Sequence, residues 1–260
     1  KDCGFQFTHP VPVEAEIGRY YETPDYISHS DTHKGLMNRV YHWVRRVMLA
    51  RKARLVKHNS RLSQGSLLDI GTGTGYFPHF MQERGWHVSA IEKSPQARQF
   101  AKEHFELDVA APEALNEFAD KSFDVITLWH VMEHLEHLNE TWETLKRILK
   151  DQGILIIAVP NPTSFDAEKY KEMWGAYDVP RHLWHFSPSV MQQFGAKHDF
   201  ILCERHPMPF DAFYVSMLSE KYRKSAFPFI KGLITGAEAW IVSLAKKDRS
   251  SSMIYVFRKK

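Results

Sequence analysis

Residues 67–77 read Leu-Leu-Asp-Ile-Gly-Thr-Gly-Thr-Gly-Tyr-Phe, and no other stretch restricts the possible folds as much. A short apolar run, the signature of a buried strand, ends in Asp69 and three glycines at alternate positions, Gly71, Gly73 and Gly75. An amphipathic segment from Phe77 to Arg84 follows at once and predicts a helix. Strand, glycine turn and helix in this order open an α/β sheet that binds a phosphate or a nucleotide. Glycines let the backbone approach a ligand, and the helix N-terminus offers free N–H groups and a positive dipole end. The dinucleotide fingerprint Gly-x-Gly-x-x-Gly fails in both registers. Counted from Gly71 its third glycine falls on Tyr76, and counted from Gly73 it falls on Pro78. No Gly-Lys-Ser/Thr follows, which excludes a P-loop.

The 260 residues, 43% of them hydrophobic, suit one α/β domain with additions. Lys and Arg total 34 against 31 Asp and Glu, a balance that gives no argument for a nucleic-acid partner. Two cysteines, Cys3 and Cys203, cannot make a disulfide framework and fit a reducing, cytoplasmic setting. No apolar run reaches membrane-spanning length and no signal peptide is visible. The chain starts at Lys1, so residues upstream are expected. Cys3-Gly4-Phe5-Gln6-Phe7 reads either as the last corner of a zinc ribbon begun upstream or as an ordinary thiol, and one cysteine alone cannot bind zinc.

Along the chain, residues 1–33 read as irregular and aromatic, with Tyr20, Tyr21 and Tyr26 before Ser28-His29-Ser30. This segment either caps a ligand pocket or anchors itself on the domain. Leu36, Val40, Val44, Val47 and Met48 predict a helix over roughly 34–57, its Arg and Lys on a solvated face. His87–Ile91 predicts a second strand, ended by Glu92 at the place where a ribose needs a hydroxyl acceptor. Ser94-Pro95 starts the next helix. A third strand is expected around Phe105–Val109, then a loop 110–115 bordering an adenine. Ser122–Leu128 predicts strand four, Asn139 a helix cap, Gly153 the end of that helix, and Ile154–Val159 a strand buried on both faces. Ser187-Pro188 caps another helix, ended near Gly195, and Phe200–Glu204 predicts strand six. Residues 207–249 read as a helical insertion and Met253–Phe257 as the last strand.

With these residues in order, Asp69-x-Gly71-x-Gly73-x-Gly75, Glu92, Phe123-Asp124-Val125-Ile126, His130-Val131-Met132-Glu133-His134-Leu135 and Leu149-x-x-x-Gly153-Ile154-Leu155, the chain resembles the class I S-adenosylmethionine-dependent methyltransferases. The last two stretches are similar to the branch of the ubiquinone-pathway O-methyltransferases, and Val179-Pro180-Arg181-His182 is similar to a bacterial subgroup of it. The resemblance implies a Rossmann-like, seven-stranded mixed sheet with helices on both faces. Its last strand runs antiparallel between strands five and six. It implies S-adenosylmethionine as cofactor, and the expected acceptor is small or lipid-like with no nucleic acid. The basic residues Lys221, Arg223, Lys224 and Lys231 read as a solvated helix face, with contact to an anionic headgroup or membrane surface as the other option. The expected organisation is a cap and helix at 1–60, a cofactor-binding domain at 61–206 and 250–260, and an insertion at 207–249 beside the acceptor. A non-catalytic regulator that binds the same cofactor or a nucleotide is the rival reading on this fold.

Carried over by position, Asp69, Gly71, Thr72, Gly73, Gly75, Tyr76 and Phe77 form the expected cofactor turn. Glu92, Lys93, Ala114, Trp129 and His130 line its sides, and Tyr20 and Tyr26 close over it. His182, Arg181 and His29 are the catalytic candidates, with His185 read as structural. Phe210, Asp211, Phe213 and Tyr214 are expected beside the acceptor. His130-x-x-Glu133-His134 resembles the Glu-x-x-Glu-His pattern that binds a divalent metal in small-RNA 2′-O-methyltransferases, with His182 as a further donor. His130 in place of the first acid could still serve as a ligand and would shift preference from Mg²⁺ toward Zn²⁺-like ions. The other reading is a helix start with Glu133 favourable to the dipole, and the expectation is that start and no metal.

Overall fold

The computed structural model describes residues 4–12, Glu16, Tyr20, 36–208 and 210–260. Tyr26 and His29, and Cys3 of the zinc-ribbon expectation, lie outside the described residues. Seven strands form one sheet in the order β4-β3-β2-β5-β6-β9-β8: β2 Ser66–Ile70, β3 His87–Ile91, β4 Val109–Ala110, β5 Phe123–Trp129, β6 Leu149–Pro160, β8 Phe200–Pro207 and β9 Ser252–Lys259. The strands from β4 to β6 are mutually parallel, while β9 pairs antiparallel with both β6 and β8. The expected topology, with the last strand inserted antiparallel, is the one observed.

The sequence explains the sheet's core. Leu67, Leu68, Val125, Ile126, Leu155 and Ile156 are fully buried, as continuous apolar runs must be when helices cover both faces. On one face Trp142 of helix α4 (Leu138–Ile148) meets Phe200 and Phe257 edge-on at 5.4 and 5.5 Å. Helix α6 (Pro188–Lys197) lies so close there that a Cβ on Gly195 would reach 2.5 Å from Phe257 Cε1. The other face is covered by α1 (Leu36–Ser60) and α2 (Tyr76–Gln82), with Val56, Phe77 and Met81 buried against the strands.

Three local expectations are corrected. Asn139 does not cap α4: His137 stands at the cap position, and the Asn139 amide oxygen instead accepts from Lys197 Nζ at 3.0 Å. Gly153 does not end that helix either. Leu149 turns extended and starts β6, and Gly153 sits inside that strand, where a Cβ would press on Leu149 at 2.7 Å. The third strand is only Val109–Ala110, because α3 (Pro95–Phe105) runs through Phe105 and stops at the left-handed Glu106.

Two further features frame the sheet. Residues 6–7 form a short strand β1, paired antiparallel with β7 (Trp184–His185), so the amino-terminal segment is stitched to the loop after β6. Between β8 and β9 stands a helical hairpin, α7 (Asp211–Tyr222) and α8 (Pro228–Ala245). Gly232 and Gly236 set the helices together: a Cβ at either would come within 2.6 or 2.8 Å of the Met217 or Phe213 backbone. One face of α8 is thereby buried and the other left outward.

Candidate functional site

Parallel register brings the ends of β2, β3, β5 and β6 to one edge. Ile70 is opposite Ile91 on one side and Leu128 on the other, and Leu128 is opposite Ile157. The residues that follow these ends, Gly71, Glu92 and His130, are therefore neighbours at the carboxyl edge, where open sheets bind ligands.

Gly71, Gly73 and Gly75 all hold positive φ, +68°, +57° and +84°, but they serve different ends. A Cβ at Gly71 would strike Val131 Cγ2 at 2.3 Å, and one at Gly75 would meet Ala101 at 2.9 Å. These two permit close packing. Among the described residues an added Cβ at Gly73 meets nothing within 4 Å, so of the three this glycine is the one that opens onto space there. Gly73 N donates to Glu92 Oε2 at 2.8 Å, and Ser94 N donates to Oε1 at 2.9 Å. Glu92 is 4% exposed. Each of its oxygens keeps a lone pair for a hydroxyl beyond these backbone donors.

Beneath the turn runs a row of charges. Thr127 Oγ1 donates to Asp69 Oδ1 at 2.6 Å. Burial pushes the Asp69 carboxyl up to about 6, against the hydroxyls of Thr127 and Thr72 and the charge of Lys52, which hold it down. Lys52 reaches in from α1 with Nζ 4.3 Å from the Trp129 ring centroid, and burial draws its pKa below the usual lysine value against the pull of Asp69 and Asp211. His130, in the left-handed region at φ +59°, places Nδ1 3.4 Å from Glu133 Oε1 and Nε2 3.1 Å from Asp211 Oδ2. Burial opposes its charge, but the two carboxylates prevail and raise it to about 10. Burial likewise favours a neutral Glu133, yet His130, His134 and His182 outweigh it and lower that carboxyl to about 2.

The loop 178–185 faces this row from the next strand end. His182 is 8% exposed, its Nδ1 lies 2.9 Å from Ala176 O, and burial lowers it to about 4, so the ring is neutral near pH 7. Arg181 Nη2 bonds Asp178 Oδ1 at 2.7 Å. His134 Nδ1 lies 3.0 Å from Arg181 O, and the His134 and His182 rings meet edge-to-face at 4.5 Å. Thr8 Oγ1 donates to His182 O at 2.6 Å and lies 3.2 Å from His185 Nε2, which commits His185 to structure.

The expected site residues thus fall into distinct places. Asp69, the three glycines, Thr72, Glu92, Trp129 and His130 meet at the strand ends. Phe77 packs edge-on to Trp129 within the core, and Tyr76 turns toward Phe105 and under the Arg45 guanidinium, 3.9 Å from its ring centroid. Lys93 is exposed and pairs with Glu136 at 3.6 Å, Ala114 lies in the turn Pro112–Asn116, and Tyr20 is half-buried. Asp211 reaches the row, whereas Phe210 and Tyr214 are largely exposed. Lys52 is not among the expected site residues, because the α1 charges read as a solvated face. The signal was there: Met48, Lys52 and Val56 are four residues apart, so Lys52 falls on the buried stripe.

A family model described as methyltransferase domain matches residues 40–203, well over half of the chain. An uncharacterised methyltransferase of Staphylococcus carnosus is 33% identical over 112 residues, 42% of this chain and 53% of that protein. The mitochondrial ubiquinone biosynthesis O-methyltransferase of Schizosaccharomyces pombe is 27% identical over 134 residues, 48% of this chain and 49% of that protein. The chain thus spans about half the length of the relatives it matches. Among solved structures, geranyl diphosphate C-methyltransferase from Streptomyces coelicolor A3(2) aligns with TM-score 0.58 at 14% identity, covering 96% of this chain and 100% of that one. The 1,6-didemethyltoxoflavin-N1-methyltransferase of Burkholderia thailandensis aligns with TM-score 0.57 at 12% identity, covering 98% and 95%. These two likenesses speak for the fold.

Proposed function

We propose, from the premise that the chain belongs to the methyltransferase-domain family, that it transfers a methyl group from S-adenosylmethionine to an oxygen of a small or lipid-like acceptor. The observation that carries this reading is the pairing of Gly73 with Glu92. Among the described residues the turn is open at Gly73, and the buried carboxylate beside it is already oriented by two backbone N–H groups. A nucleoside with vicinal hydroxyls and an amino-acid tail suits such a cradle. The Trp129 indole N–H, buried without an acceptor among the described residues, offers a further donor at its edge.

In this reading the backbone of Gly71, Thr72, Gly73 and Gly75 holds the amino-acid end, Glu92 takes the ribose hydroxyls, and Lys93 and Ala114 flank the base. Asp69 fixes the turn through Thr127, and Tyr76 and Phe77 anchor the helix behind it. Bound there, the cofactor supplies a methyl group already activated by its sulfonium. The chain need only bring the acceptor in line, exclude water and accommodate the acceptor's proton. In this reading His182, neutral and held beside Arg181 on the next loop, assists the loss of that proton.

The preference for a lipid-like acceptor rests on α8. Phe227, Ile230, Ile234, Ile241 and Leu244 are each more than half exposed, and Lys231, Lys246 and Lys247 lie exposed among and beyond them. No helix among the described residues is long and apolar enough to cross a membrane. An apolar stripe with cations at its margins suits shallow contact with an anionic lipid surface. The names of the relatives, among them ubiquinone biosynthesis O-methyltransferases, agree with an oxygen acceptor of this kind. Calorimetry tests the cofactor: S-adenosylhomocysteine should bind and NAD should not. Incorporation of labelled methyl into a lipid extract tests the transfer; binding without incorporation into any acceptor would favour the non-catalytic rival.

A further inference from the structure

We propose that Glu133, His134 and His182 form a binding site for one divalent transition-metal ion of the zinc class, beside the glycine turn. One ligand atom from each of the three lies within 4.8 Å of the others. A four-coordinate ion with bonds of about 2.0–2.2 Å sets its ligand atoms roughly 3.3 Å apart, so side-chain rotation of about an ångström closes the set.

The hydrogen bonds around the cluster orient it for a cation. His134 Nδ1 and His182 Nδ1 each donate to a backbone carbonyl, Arg181 O and Ala176 O. That bond fixes the neutral tautomer whose lone pair is on Nε2, the arrangement that supports metal-binding imidazoles. Glu133 is 1% exposed, and neither carboxylate oxygen has a hydrogen-bond donor among the described residues. His130 stands 3.4 Å from Oε1, which leaves Oε2 for the ion. The Glu133 carboxylate faces the imidazole nitrogens with one oxygen toward His130 and the other unpaired among the described residues. Asp178, whose Oδ1 is held by Arg181, brings Oδ2 to 3.6 Å from His182 Nε2, so the cluster offers a cation both ligands and nearby negative charge.

The backbone pins the ligands from three directions. Leu183 N donates to Glu133 O at 2.8 Å, His134 N to Val131 O at 2.9 Å, and Thr8 Oγ1 to His182 O at 2.6 Å. Two imidazoles and one carboxylate favour Zn²⁺-like ions over Mg²⁺, which prefers oxygen ligands and keeps its waters. Three protein ligands leave a coordination position open. Val131, two residues before Glu133, packs against Gly71, so the segment that carries Glu133 and His134 adjoins the proposed cofactor turn. The ion's role rests on the methyl-transfer reading: His182, its one lone pair given to the ion, would assist by holding the ion and not by taking the proton itself, and an acceptor hydroxyl bound there would release its proton to water more readily.

The full chain, stripped with a chelator, is titrated with Co²⁺ followed by visible absorption, and with Zn²⁺ and Mg²⁺ by calorimetry. The expected result is one saturable Co²⁺ per chain with ligand-field bands, displacement by Zn²⁺, and no heat from Mg²⁺. Glu133→Gln and His182→Asn should each abolish the bands or weaken binding by at least about 10-fold. His206→Gln, on β8 and paired with Glu204, should leave them unchanged. Should the variants misfold, nitrogen chemical shifts in the unmutated protein decide: Zn²⁺ must move Nε2 of His134 and His182. No saturable binding, bands that survive Glu133→Gln, or unmoved Nε2 shifts would each overturn the proposal. S-adenosylhomocysteine binding is measured on the same preparation. Its presence without metal binding refutes the ion alone, and metal binding without it refutes the transferase reading.

Discussion

His130 Nε2, at the end of β5, lies 3.1 Å from Asp211 Oδ2, at the start of α7. This contact fastens the helical hairpin to the sheet edge where the glycine turn stands. The hairpin's inner helix thus shares a charge row with the candidate site, while its outer helix presents the apolar stripe.

That contact gives a pH signature. His130 is raised from 6.5 to about 10, so its stabilisation is complete below pH 6.5 and lost as pH climbs toward 10. Glu133 is lowered from 4.5 to about 2 and Asp211 lies below its usual 3.8, so theirs is complete above pH 4.5 and lost as pH falls toward 2. The stability difference between wild type and Asp211→Asn should therefore be largest between pH 4.5 and 6.5 and shrink on both sides. Because His130 is about a third exposed, solvent screening keeps its size to about 1–2 kcal/mol. Urea titrations across pH read it out, and a difference flat from pH 3 to pH 10 would refute the coupling.

Gly71 and Gly73 should separate packing from binding. Both hold positive φ, so alanine at either costs roughly 1–2 kcal/mol in backbone strain. At Gly71 the clash with Val131 adds about 1–3 kcal/mol more. Gly71→Ala should be the less stable of the two, and Val131→Ala should restore part of the loss. Gly73→Ala should fold but bind S-adenosylhomocysteine poorly. Equal stabilities with equal affinities would contradict the assignment.

Glu92→Gln keeps the side-chain shape but removes the charge and one acceptor oxygen. Hydrogen bonds to a charged group contribute about 1.5–3 kcal/mol, so affinity for S-adenosylhomocysteine should fall on the order of 10- to 100-fold. Calorimetry on the variant, with the fold checked by circular dichroism, measures it. An unchanged dissociation constant would remove Glu92 from the binding site.

The α8 stripe predicts sedimentation with anionic vesicles and weaker sedimentation with neutral ones. Ile241→Glu with Leu244→Glu should abolish it without lowering S-adenosylhomocysteine affinity, since both side chains point outward. Should the wild type instead form a dimer that these changes dissolve, with no vesicle binding, the stripe is a subunit interface.

The sequence by itself determined the sheet and its glycine turn, because both are local. A short, β-branched apolar run such as Ile154–Val159, bounded by Gly153 and Pro160, reads as a buried strand, and Gly71, Gly73 and Gly75 mark a turn with positive φ. It also placed Glu92, since a strand end and a fixed spacing locate that acid without any distant contact. Tertiary structure alone decided which glycine opens to space, because that depends on Val131 and Ala101, 60 and 26 residues further on. It decided that Asn139 braces Lys197 rather than capping a helix, and that Lys52 turns inward beneath the turn. It decided, too, that His134 and His182 face one another, although 48 residues separate them. Spacing along a chain reports helix and strand periodicity. Convergence of side chains from different strand ends depends on how far each loop folds back, and no local pattern encodes that.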